Sequence, residues 1–146
     1  MLLPMTYSNK GLHLTEQFEG CRLIAYPDSK GVPTIGYGHT SGVYIGMKCT
    51  LEQAGLWLSE DIQCASDKVN MLIKIQLTQE EFDAVTDLVF NIGTSNFEHS
   101  TLLVLLNKND LTGAANEFSK WDRCGGVVIA GLLRRRLAEK EEFNGN

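Results

Sequence analysis

Between Glu19 and Thr40 the chain sets two carboxyls and a hydroxyl, Glu19, Asp28 and Thr34, around a glycine-rich hairpin sequence. These residue types suit cleavage of a glycosidic bond. The leaving oxygen needs a proton in the transition state, while an anion on the other side of the sugar orients an attacking water or attacks directly. Glu19 closes an apolar helical segment, with Phe18, Leu23 and Tyr26 as neighbours, a setting suited to a carboxyl that must arrive carrying its proton. Asp28 sits in Pro27-Asp28-Ser29-Lys30-Gly31, where water, a hydroxyl, an ammonium and turn amides can all support an anion. Thr34 follows in a β-prone run, and a hairpin returns its hydroxyl to the same mouth, able to share a water with Asp28. Singly, the three read as a surface ion, a turn former and a strand residue. Their ordered combination points to chemistry.

The elements that must position them are legible from periodicity. Leu14 and Phe18 at helical spacing, followed by Gly20, predict a helix over Asn9 to Glu19 that places Glu19 in its last turn. Leu23 to Tyr26 and Val32 to Tyr37 predict a small antiparallel hairpin or sheet. Thr50 with Gln53 starts a helix carrying Leu51, Ala54, Leu58, Ile62 and Ala65. Thr78 with Glu81 starts another, central and well buried, carrying Phe82, Val85, Val89 and Ile92 and stopped by Gly93. Ser100 or Thr101 caps Leu102 to Leu106, Asp110 caps Leu111 to Trp121, and Gly131 precedes a last helix through Phe143. The fold class is therefore α+β and mainly helical, one domain over 1–146. A small β-containing lobe covers about 20–48, and a helical lobe covers about 1–19 plus 49–146. The first helix packs with the helical lobe, which puts Glu19 at the junction where a cleft forms.

Composition narrows the function classes. The net charge of -5 argues against nucleic acid as a partner, with Arg134-Arg135-Arg136 as the one local exception. That run reads either as a solvated helix face with one member turned inward or as a contact to Glu19 or substrate. Met1 to Met5 is apolar for too few residues to be a signal peptide or membrane anchor. Cys21, Cys49, Cys64 and Cys124 show no paired spacing, and the expectation is four free, mostly buried thiols. No metal ligand set is spaced for binding, and no cofactor is expected. Gly36 and Gly38 around Tyr37 suggest close approach of a backbone or ligand. His39 reads first as a structural hydrogen-bonding or ion-pairing residue. Phe90 and Asn91 suit a sugar face and a sugar hydroxyl.

Glu19-Gly20, Ala25-Tyr26, Asp28, Gly31 and Thr34 to Thr40 resemble the signature of the phage-type lysozymes, the endolysin muramidases of glycoside hydrolase family 24. Phe90-Asn91-Ile92-Gly93, Phe97, Ser100 to Leu103, Leu106-Asn107, Trp121 and Gly131-Leu132 with Arg135-Arg136 and Glu139 resemble the family's later motifs. The resemblance covers nearly the whole chain. It implies a two-lobed lysozyme fold and hydrolysis of the β-1,4 bond between N-acetylmuramic acid and N-acetylglucosamine, generally with inversion and without a cofactor. Glu19 is then the general acid, and Asp28 and Thr34 position the water. Tyr37, Gly38, His39, Phe90, Asn91 and Ser100 are the candidates for holding the saccharide. The implied setting is lysis of an infected bacterium by a monomer that passes from the cytoplasm to the periplasm and wall through a pore made by a separate holin. Two readings compete with it: a non-catalytic saccharide-binding protein on the same scaffold, and a relative cutting chitin-like polymers or acting as a transglycosylase.

Overall fold

The computed structural model describes residues 2–145. Ser8 accepts a hydrogen bond from the Gly11 N–H and caps α1 (Asn9–Glu19), which stops where Gly20, at φ 63°, returns its N–H to Glu16. Two antiparallel strands follow, β1 (Arg22–Pro27) and β2 (Pro33–Gly36), with Tyr26 opposite Thr34. Directly opposed residues share a face of the ladder, so these two side chains project to the same side. Lys48 bridges to Ile24 and completes the small sheet.

The remainder is helical, as the periodicity predicts. Thr50 caps α2 (Leu51–Leu72), and a reciprocal capping box of Thr78 and Glu81 starts α3 (Gln79–Ile92). α4 (Thr94–Glu98) follows directly, then α5 (Thr101–Asn107), capped by Ser100, and α6 (Leu111–Glu117), capped by Asp110. The helix expected to run to Trp121 tightens instead into a 3-10 turn at Phe118–Lys120. A short hairpin not foreseen from sequence, β3 (Arg123–Cys124) with β4 (Val127–Val128), turns on Gly125-Gly126 and leads to α7 (Ala130–Phe143).

α3 is the core element, buried at every residue from Phe82 to Val89 and packed against α1, α2 and α7. With Phe82, Val85, Leu88 and Val89 each worth about 1.5–3 kcal/mol on full burial, it anchors the helical lobe. α1 packs on it through small and polar residues rather than its apolar ones. The buried residues of α1 are Gly11 and Thr15, while Leu14 and Phe18 are half-buried, because α1 lies on the polar side of α3 that carries Asp83 and Asp87. The cysteines are free, as expected, but none is buried, and Cys64 is exposed. Each sits at a lobe edge or on a helix flank rather than in the apolar cluster.

One buried acid makes stability depend on pH. Glu142 in α7 is 7% exposed, and its Oε1 finds no partner. Burial, then the charges of Asp83, Asp87 and Glu80, outweigh Lys10 and push its carboxyl up to about 7. The folded state therefore holds a proton that the unfolded chain releases near its ordinary value, so stability falls as pH rises from about 4.5 to 7. Glu142→Gln removes this penalty. Urea melts at pH 8 are expected to show a gain of about 1–2 kcal/mol, and melts at pH 4 almost none. An equal gain at both pH values would contradict the linkage.

Candidate active site

Glu19 ends α1 at the mouth between the lobes. Its carboxylate accepts from NH1 of Arg135 in α7, one of the two alternatives for the arginine run. Arg135 is itself held bidentately: Nε donates to Asp87 Oδ2 and NH2 to Asp87 Oδ1, both at 2.9 Å. Thr15 donates to the same Oδ1 at 2.7 Å, and the Tyr7 hydroxyl lies 2.7 Å from Thr15 Oγ1. The Phe18 and Phe90 rings flank the guanidinium at 5.3 and 6.0 Å. The apolar setting expected beside Glu19 is met only in part, since Leu23 is 43% exposed and the carboxylate is bonded to a guanidinium. Tyr26 does lie close, its phenol pushed up by burial first and by the Glu19 charge second.

On the glycine-rich side, Gly38 has φ +78°, and a Cβ there would run into Glu19 Oε1. Glycine at this position serves both the backbone conformation and the space that the carboxyl occupies. Asp28 heads a tight turn in which its Oδ1 accepts from the N–H groups of Lys30 (2.8 Å) and Val32 (2.9 Å). Its own N–H bonds to the Val32 carbonyl at 2.9 Å, which locks the carboxyl's direction. Thr34 is buried, and its hydroxyl donates to the Val32 carbonyl at 2.8 Å, leaving the oxygen's lone pairs free to accept.

Glu19, Asp28 and Thr34 line one cleft of about 540 Å³, together with Tyr26, Gly38, Asp61 and Cys64 and the α3 end from Val89 to Gly93. That volume is in the range of small-ligand sites. Of the residues proposed to hold the saccharide, Gly38, Phe90 and Asn91 are on its wall. Tyr37, His39 and Ser100 are not. His39 is buried, stacked on Trp57 with centroids 4.6 Å apart, and its Nδ1 donates to Asp61 Oδ2 at 2.8 Å. Ser100 is spent on capping α5, donating to the Phe97 carbonyl and accepting from the Leu103 N–H. Tyr37 lies beside the Cys21 thiol. Asp61 escaped the sequence reading because nothing local marks it. Asp87 carried a signal that went unused: an acid within the buried register of an apolar helix demands a cationic partner.

Residues 16–139 match the phage lysozyme family. The chain is 46% identical over 143 residues to an endolysin of Acyrthosiphon pisum secondary endosymbiont phage 1, covering 95% of this chain and 98% of that protein. It is 40% identical over 144 residues to the endolysin of Salmonella phage P22, with 95% and 98% covered. The solved endolysin from Escherichia coli O157:H7 phage FAHEc1 superposes with a TM-score of 0.86 at 38% identity, over 95% of this chain and 93% of that one. The mainly helical α+β architecture expected from the sequence is thus borne out, and the chain belongs to the phage lysozyme family.

Proposed function

We propose that Glu19 is the general acid and that Asp28 and Thr34 hold the attacking water, in a protein that, as a member of this family, is a peptidoglycan-hydrolysing muramidase. The observation that carries the residue assignment is the convergence of all three side chains on one cleft from separately anchored elements. Glu19 reaches it from the end of α1, Asp28 from a hydrogen-bonded turn and Thr34 from β2. In this reading Glu19 passes its proton to the glycosidic oxygen as the bond to the muramic acid anomeric carbon breaks. A water, accepting nothing from the Thr34 proton already committed to Val32, donates to Thr34 Oγ1 and to Asp28 and attacks from the opposite face. Asp28 takes the proton that this water gives up. The bond cut is the β-1,4 link between N-acetylmuramic acid and N-acetylglucosamine, and the configuration inverts. Phe90 offers an aromatic edge and Asn91 an amide to the sugars.

Among the described residues no helix is long and apolar enough to cross a membrane. The protein acts on the host cell wall. We infer that it does so as a monomer, reaching the wall from the cytoplasm through a pore made by a separate holin.

The test is the product. Proton NMR of freshly digested, peptide-free glycan is expected to show reducing muramic acid appearing first as the α-anomer, and Asp28→Asn is expected to slow its appearance at least about 100-fold. A 1,6-anhydro product places the protein with the transglycosylases, and a β-anomer first makes Asp28 the attacking group.

A further inference from the structure

One wall of the cleft carries a charged group that the proton transfer and the water attack leave unused. Asp61 projects from α2 together with Cys64 and Ala65, three and four residues further on and so on the same helix face. All three line the cleft that Glu19, Asp28 and Thr34 share. Behind Asp61 stands His39, buried and stacked flat on Trp57 with ring planes 4° apart. A carboxylate can only accept, so the 2.8 Å contact makes His39 Nδ1 the donor and fixes Asp61 Oδ2. Oδ1 has no donor among the described residues, and the side chain is half-buried rather than sealed. A carboxylate tied to a buried ring cannot swing out to solvent as a free surface aspartate would. Its second oxygen stays at the cleft wall.

The chemistry of that wall selects the ligand. No lysine, arginine or histidine is among the described residues that line the cleft, so Asp61 meets no cation inside it. The partner that suits it is a neutral donor, a hydroxyl or an amide N–H. Both rings of peptidoglycan carry an acetamido N–H, but they differ at the 3-position. N-acetylglucosamine keeps a hydroxyl there. N-acetylmuramic acid has a lactyl ether instead, which donates nothing and brings carbonyl or carboxylate oxygens that an anion repels.

We propose that Asp61 is a saccharide-binding residue that selects an N-acetylglucosamine ring: Oδ1 accepts from that ring's hydroxyl or acetamido N–H, while His39 holds the carboxylate through Oδ2. The proposal rests on this cleft being the place where peptidoglycan is cut. Because the two rings alternate strictly along the glycan, seating one of them on the α2 wall sets the register of the whole strand. That register decides which of the two alternating β-1,4 bonds reaches Glu19.

The test uses Asp61→Asn. His39 Nδ1 needs an acceptor, so the asparagine carbonyl turns to it and the amide N–H groups turn to the cleft, replacing an acceptor by donors in the same shape. On soluble peptidoglycan fragments this variant, folded by thermal melt, is expected to raise KM at least about tenfold with kcat within about twofold, as for loss of one hydrogen bond to a charged group. Titration of an N-acetylglucosamine tetramer into protein carrying Glu19→Gln reads the same loss without turnover, and adding Asp61→Asn is expected to weaken binding at least about tenfold. An unchanged KM, an unchanged tetramer affinity, or a loss of kcat at constant KM overturns the proposal. Should Asp61→Asn fail to fold, the wild type decides. Cys64 is exposed on the same wall one turn from Asp61, so the tetramer is expected to slow its alkylation by iodoacetamide severalfold. An unchanged rate at saturating tetramer overturns the proposal. Wild-type lysis by Glu19→Gln instead removes the acid from its role, while the titration and the alkylation still report on Asp61.

Discussion

Glu19→Gln is expected to leave the protein folded and the cleft open while lowering wall lysis about 100- to 10,000-fold, the usual worth of a positioned proton donor. The side chain keeps its length and an amide oxygen that can accept from Arg135 NH1, so the contact survives in weaker form. Arg135 also keeps both bonds to Asp87, and the cost to stability is about 1 kcal/mol. What goes is the proton, and a glycosidic oxygen is too poor a leaving group to depart without one. Turbidity clearance of outer-membrane-permeabilised Gram-negative cells, run beside a thermal melt and a saccharide-binding titration, separates the outcomes. Lysis within about tenfold of wild type by a folded variant removes Glu19 from the role.

Arg135→Met is expected to produce the largest loss of stability of any single change near the cleft. Methionine preserves the apolar stem between Phe18 and Phe90 but deletes the guanidinium, leaving Asp87, with no exposed surface, holding a charge against only the Thr15 hydroxyl. Breaking a buried pair from one side costs about 3–5 kcal/mol, a large part of the total for a domain of ordinary stability. The pH dependence carries the diagnosis. In the wild type the Asp87 carboxyl is depressed, so its contribution is present at neutral pH and fades only in strong acid. Without the guanidinium, burial raises it above the unfolded value, and stability lost at neutral pH returns as the solution is acidified toward about pH 4. Urea midpoints at pH 7 and pH 4 read this directly, and a deficit that is equal at both is incompatible with an uncompensated buried charge. Activity is expected to fall too, since Glu19 loses its anchor.

Much of this site was readable because its parts are local. The helix ending at Glu19, its glycine stop, the turn around Asp28 and the strand holding Thr34 depend on neighbours within a few residues, and the structure has them in those elements. The polar floor was readable only in part: the arginine run offered a contact to Glu19 as one of two alternatives, and an acid in a buried register asks for a cation. Arg135 meets Glu19 across 116 residues and Asp87 across 48, and pairing at that range leaves no local trace of which partner is chosen. The same reason hid Asp61, which lines the cleft and accepts from His39 behind it, from a helix face that reads as solvated. Leu14 and Phe18 show a different gap. Their spacing predicts the helix correctly but does not mark its buried face, where Gly11, Thr15 and Asp87 form a polar seam with the larger side chains at its border.

The proposed acid and the proposed water-holding pair hang from different frameworks: Glu19 is clamped by an arginine to the helical interior, while Asp28 is held by amides within a surface turn and Thr34 by the strand beside it. That division of labour gives the enzyme two independent handles. Drift among the interior helices can retune how readily the acid works, while residues inserted or exchanged in the turn can reshape the far side of the sugar without touching it. Adaptation to a new wall chemistry can proceed along either route alone.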